Sequence, residues 1–199
     1  MTSTAQGFAL FDTAIGTCGI AWGADGVVGV QLPEASAVQT RARLKRRFEG
    51  APETSPPWAA QSAIDAMTGF LEGKPAELSG IPLDMRDVPR FRQRVYEVAR
   101  TIPPGATLSY GEVAARLGEP AWPVARDVGQ ALAHNPFPIV VPCHRVVAAR
   151  GKLGGFSARG GLTTKRRLLS IEIASLVTRS NALGHSTTAF NAPLFADVE

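Results

Sequence analysis

The sequence predicts an α+β protein whose strands come first and whose helices dominate the remainder. Three observations predict it. Residues 7–32 alternate small, apolar and polar side chains, the period-two signature of half-buried strands. Further along, apolar residues recur at helical spacing in several segments, and Gly50, Gly73, Pro103-Pro104-Gly105 and Gly118 stop those segments. The composition, 45% apolar and 19% charged over 199 residues, is that of a globular chain with enough apolar mass for one large domain or two small ones.

Turn signals at Ile15-Gly16 and Ala24-Asp25-Gly26 divide residues 7–32 into two or three antiparallel strands joined as hairpins. Residues 34–49 read as a helix closed by Gly50. Pro56-Pro57 opens a second helix, through Ala59, Ile64, Met67, Phe70 and Leu71, that Gly73 ends. Residues 78–85 suit one more strand. This first unit, residues 1–85, carries nothing that resembles an active site.

The character changes at Asp87-Val88-Pro89. Phe91, Val95, Val98 and Ile102 then mark a helix. Ser109 and Glu112 fit a capping box, with Val113, Ala114 and Leu117 as the apolar stripe behind it. Pro123 opens the next helix, which buries Val124, Val128, Ala131 and Leu132 and turns Arg126, Gln130 and Ala133 elsewhere, while Gly129 permits close approach. Two short helices joined by a tight turn suggest a helix-turn-helix, although helical hairpins that bind nothing share the pattern. Thr163 to Glu172 reads as a basic helix, and residues 174–199 as a loosely ordered polar tail.

Charge is uneven. Residues 86–172 hold 14 Lys and Arg against 6 Asp and Glu, a net of +8, whereas the rest of the chain carries −4. The basic half suits a polyanion, but a solvated basic face would look the same. The two cysteines, Cys18 and Cys143, lack an export signal or a Cys-x-x-Cys pair, so neither a disulfide nor a zinc site is expected. Cys18 reads as a small buried apolar residue. No apolar run nears the roughly 20 residues of a membrane span, and a cytoplasmic location is expected, or a nuclear one if the source has a nucleus.

The most telling segment is Val141-Pro142-Cys143-His144-Arg145-Val146, preceded by Asn135-Pro136-Phe137-Pro138. A thiolate is the nucleophilic form of cysteine, and an adjacent base supplies it near neutral pH. Pro136 should end the preceding helix at Asn135, whose side chain can cap that helix, brace the cysteine loop, or both. The apolar run before Cys143 reads as a short strand, in which case Cys143 and His144 point to opposite faces and a water or a bend must join them. Glu172, an anion near the expected end of its helix, sits badly with the helix dipole, which hints at a cationic or proton-sharing partner such as His144. Gly154-Gly155-Phe156-Ser157 and Gly160-Gly161 form a loop able to approach a ligand closely.

From about Phe91 to Glu172 these motifs, in this order, resemble the O6-alkylguanine-DNA alkyltransferases, also called methylated-DNA–protein-cysteine methyltransferases. The resemblance implies an N-terminal RNase H-like domain, a C-terminal winged-helix-like domain over residues 86–173, and direct reversal of alkylation in double-stranded DNA. Cys143 would take the alkyl group from O6 of guanine, with O4 of thymine a second candidate position, and each molecule would act once. By the same resemblance His144 accepts the thiol proton through a water, Glu172 orients His144, and Asn135 braces the turn. Arg126 fills the gap left by the extruded nucleotide, and Tyr110 helps to turn it out. Ser109, Ala125 and Gly129 bring the helices close to the minor groove, where readout is degenerate. Val146, Ser157, Leu132 and Tyr110 line the alkylguanine pocket. The carbonyls of Cys143 and Val146 accept from the guanine amino group, and a backbone donor near Ser157 approaches O6. No cofactor and no metal are implied. A monomer is expected in solution, with cooperative assembly on DNA an open possibility.

Three features depart from the family pattern: the acid Asp127 beside Arg126, the loop Phe156–Gly161 with Arg159, and the tail. Two rival readings stand beside repair. One is a lesion sensor that flips damaged bases without repairing them, against which the presence of Cys143 argues. The other is a cysteine hydrolase, which lacks an oxyanion-hole signature here.

Overall fold

A computed structural model describes residues 5–182. Three strands, β1 (Gly7–Thr13), β2 (Gly16–Gly23) and β3 (Gly26–Gln31), form an antiparallel meander in the order β1-β2-β3. Period-two alternation gives this sheet two apolar faces. One face packs Phe8, Ala21 and Val28 against Leu44 of helix α1 (Ala37–Arg47). The other sets Cys18, Ile20 and Val30 among Ala63, Ile64 and Met67 of α2 (Trp58–Leu71). Gly19 is required where α1 crosses the sheet, because a Cβ there would stand 2.1 Å from Leu44 Cδ1.

Residues 78–85 do not form the expected strand. Leu83 makes one isolated parallel bridge to Val27, with Pro82 O and the Asp84 amide supplying its two hydrogen bonds. Pro82 has no N–H to extend the ladder.

The second half consists of α3 (Arg90–Arg100), β4 (Leu108–Ser109), α4 (Tyr110–Arg116), α5 (Ala121–Ala133), β5 (Val146–Val147) and α6 (Leu162–Ala182). The capping box is complete. Ser109 Oγ accepts from the Glu112 amide at 3.2 Å, and Glu112 Oε2 accepts from the Ser109 amide at 2.6 Å. Helix α5 begins two residues earlier than Pro123 implies, with Pro120 as N-cap. Pro123 is accommodated because amides of a first turn have no intrahelical acceptor. One apolar core runs from Ile20 and Met67 through Tyr96 and Val128 to Phe137 and Leu168.

Two further expectations are corrected. Helix α6 continues to Ala182, so residues 174–182 are helical and only residues 183–199 of the anticipated loose tail lie outside the described residues. Its packed stripe does not stop at Glu172, since half-buried Leu176, one turn on, lies against Gly105. Glu172 is therefore mid-helix, and the dipole misfit has no basis; what draws a partner to it is burial. The run before Cys143 is also not a strand but a turn, closed by the Val141 amide on Phe137 O at 2.8 Å. Among the described residues, no helix is long and apolar enough to cross a membrane.

Candidate active site

Cys143 opens a one-turn 3-10 helix, Cys143–Arg145, with Pro142 as its N-cap. The turn that delivers it holds Ile139 at φ +77°, a conformation unfavourable for a β-branched side chain, and Ile139 is nonetheless buried. Asn135 secures this turn from beneath. Its Nδ2 donates to Val141 O and its Oδ1 accepts from the Phe137 amide, both at 2.9 Å. The Cys143 amide donates to the same Val141 carbonyl at 2.8 Å. The first half of the chain grips the turn as well: the Val30 amide donates to Pro136 O at 2.8 Å, and Arg47 to the same oxygen at 3.1 Å.

The 3-10 turn sends His144 inward, where it is completely buried. Its Nε2 lies 2.8 Å from Glu172 Oε1. Glu172 is also tied to Arg145, whose Nε donates to Oε1 at 2.8 Å, and to the Gly105 amide, which donates to Oε2 at 2.9 Å. Burial works to raise the Glu172 carboxyl, but His144, Arg145 and the Gly105 amide outweigh it and hold the group below its ordinary range. Burial lowers His144 below 6.5 despite Glu172, so the imidazole is neutral near pH 7. A neutral ring facing a carboxylate donates through Nε2, which leaves Nδ1 as the acceptor. Nδ1 is buried and has no hydrogen-bond partner among the described residues.

Burial pushes the Cys143 thiol up; Asn135, the Lys165 ammonium and the amides of Cys143 and His144 push the other way without reversing it. The sulfur is thus a thiol at rest and needs a base.

Lys165 was not singled out by sequence. It is completely buried and donates to Val146 O at 2.6 Å, Leu153 O at 2.5 Å and Gly155 O at 3.3 Å. Burial brings its ammonium down to about 8, with the Cys143 charge opposing. A lysine in a basic helix reads as surface; the signal that it is not lies in its spacing, because Lys165, Leu168, Leu169 and Glu172 form one helical stripe. Arg145 was likewise missed, and its only sequence signal is its place beside His144.

Two cavities meet at Cys143 and share Leu132, Ala133, Phe156 and Ser157. The smaller, about 290 Å³, has Tyr110 and Gly129 on its far wall. Gly129 faces the Tyr110 ring across ordinary van der Waals distance, since a Cβ there would lie 3.8 Å from Cε1. The larger, about 430 Å³, opens toward β3 and α1. Of the expected pocket residues, Tyr110, Leu132 and Ser157 line the smaller cavity, whereas Val146 lines neither and its carbonyl receives Lys165. Parallel pairing of Ser109 with Val147 sets the start of α4 beside the floor of the site. Arg126 and Asp127 are exposed on α5, and Ala125 is half-buried there. Among the described residues, no cluster of His, Cys, Asp and Glu could hold a metal ion.

A family model described as the DNA-binding domain of 6-O-methylguanine DNA methyltransferase matches residues 90–174. A methylated-DNA–protein-cysteine methyltransferase of Methanothermobacter thermautotrophicus is 37% identical over 158 residues, 79% of this chain and 80% of its own. The Mycobacterium tuberculosis protein of the same name is 44% identical over 119 residues, 60% of this chain and 68% of that one. Among solved structures, M. tuberculosis OGT in complex with DNA matches with a TM-score of 0.69 at 35% identity, over 84% of this chain and 93% of that chain. The O6-methylguanine-DNA methyltransferase of Pyrococcus kodakaraensis matches with a TM-score of 0.60 at 26% identity, over 83% and 98% of the two chains.

Proposed function

The chain belongs to the methylated-DNA–protein-cysteine methyltransferases, enzymes of DNA alkyl repair, and from that premise we propose that it clears O6-alkylguanine from duplex DNA by taking the alkyl group permanently onto Cys143. The observation that carries this reading is the unpartnered Nδ1 of His144, a buried acceptor next in sequence to a thiol that burial keeps protonated. His144 takes the thiol proton through a water while Glu172 stabilises the cation that forms. The thiolate attacks the alkyl carbon in line; an S–C bond forms and the C–O6 bond breaks, its electron pair passing into guanine. Guanine regains a proton at N1, so the proton lost by sulfur is balanced. Nothing hydrolyses a thioether, so each molecule acts once.

The alkyl carbon is out of reach inside a duplex, and the nucleotide must leave the stack at a cost of a few kcal/mol. Exposed Arg126 fills the space, Tyr110 crowds the flipped nucleotide, and α5, small at Ala125 and Gly129, lies along the minor groove. The base enters the Tyr110 cavity between Leu132 and Ser157.

The test is transfer of a labelled methyl group from O6-methylguanine DNA, followed by mass spectrometry of the protein. One methyl per chain, on Cys143 and absent from Cys143→Ala, is expected. Tight binding of lesion DNA with sulfur left unmodified would make the protein a sensor, and repeated turnover of an ester would make it a hydrolase.

A further inference from the structure

We propose that the larger cavity beside Cys143 is a subsite for adducts that end in an anion, with Arg47 and Arg92 receiving the carboxylate of an O6-carboxyalkylguanine; this rests on the alkyl-transfer reading above. Three guanidinium groups, Arg43, Arg47 and Arg92, line this cavity together with Cys143, and no acidic side chain does. Arg43 is neutralised by Glu34, 3.1 Å away. Arg47 donates to backbone carbonyls, Val30 O at 3.2 Å and Pro136 O at 3.1 Å, lies over the ring of Phe48, and has no ion pair among the described residues. Half-buried Arg92 has no ion pair or hydrogen bond among the described residues, and its electrostatic neighbour is the phenol of Tyr96. Partly desolvated cations without a counter-charge are unfavourable until an anion joins them.

Reaction geometry directs an adduct there. In-line attack sets sulfur, carbon and O6 on one axis, so any chain longer than methyl must leave that axis sideways. With guanine in the cavity walled by Tyr110 and Gly129, the open space that adjoins it at Cys143 is the arginine-lined one. A methyl group needs none of its roughly 430 Å³. Val30, Gln31 and Leu32 of the sheet side line the cavity and, among the described residues, none of α4 does, which suits an adduct better than a phosphate of the duplex.

The full-length protein is given duplexes carrying O6-methylguanine, O6-(3-carboxypropyl)guanine or its neutral isostere O6-(3-carbamoylpropyl)guanine, and single-turnover transfer rates are measured. Wild type should favour the carboxylate over the amide by about tenfold, the factor one charge-assisted hydrogen bond supplies. Arg92→Gln should bring the ratio toward parity and Arg92→Lys should restore it; taking the ratio within each protein cancels any general loss of activity. Arg47→Gln should act in the same direction. Equal rates in wild type, or a preference that survives both glutamine variants, would overturn the subsite. A variant that slows all three lesions alike and weakens duplex binding would make these arginines phosphate contacts, which also overturns it. Failure of methyl transfer itself would instead sink the underlying reading.

Discussion

His144 and Glu172, 28 residues apart in sequence, face each other at 2.8 Å with both side chains fully buried, and Arg145 shares the same carboxylate oxygen. One carboxylate thus fixes the imidazole tautomer and neutralises a buried guanidinium. Glu172→Gln removes the charge from both partners. Methyl transfer should slow about a hundredfold, the usual worth of a positioned base. Leaving Arg145 buried without a counter-charge should destabilise the fold by roughly 3 kcal/mol. Single-turnover kinetics and urea unfolding measure the two effects, and an unchanged rate would remove Glu172 from the proton path.

Acid should destabilise the fold in two stages. Burial holds His144 below 6.5, so as pH drops past that value the unfolded chain takes up a proton that the folded chain refuses. Glu172 lies below 4.5, so a second loss begins there by the same sign. Stability is therefore fullest above pH 6.5. Urea midpoints measured across roughly pH 4–8 should show both losses, and His144→Gln should lack the first. A midpoint that stays constant as pH falls from 6.5 to 4.5 would contradict a neutral buried imidazole.

Arg126 is exposed on α5, outside both cavities. Arg126→Ala should slow repair of duplex DNA while leaving reaction with free O6-methylguanine base near normal, because only the duplex must be opened. Equal losses on the two substrates would contradict the role. Binding of wild type to duplex should weaken as salt rises, through counterion release.

Gly154 and Gly151 form a matched pair. Both hold positive φ, +67° and +73°, but a Cβ on Gly154 would stand 3.1 Å from Tyr110 Cε2 whereas one on Gly151 meets nothing within 4 Å. Either alanine should lower stability by about 1 kcal/mol through the left-handed backbone. Only Gly154→Ala displaces Tyr110, so only it should also slow transfer. Thermal unfolding and transfer kinetics on the two variants separate strain from displacement.

Local signals were legible in the chain and distant ones were not. The Ser109–Glu112 box, the hairpin turns and the helix stop at Gly73 depend on neighbours in sequence, and each is found where the residues place it, whereas the helix expected over 34–49 spans Ala37–Arg47 and ends at Phe48, short of Gly50. Residues 78–85 failed as a strand because pairing depends on an edge that sequence does not display, and Pro82 interrupts it. The turn around Cys143 was hidden because its geometry comes from Asn135 and from the sheet edge at Val30. Lys165 is not legible in the sequence because its acceptors are main-chain oxygens at residues 146, 153 and 155, which no side-chain pattern announces.

Cys18 is wholly enclosed in the sheet core, and burial drives its thiol up to about 12. Toward a soluble electrophile the folded molecule consequently behaves as a one-thiol protein. A maleimide titration should consume one equivalent per native chain and two after denaturation, so the second equivalent counts unfolded molecules in any preparation without reference to repair at all.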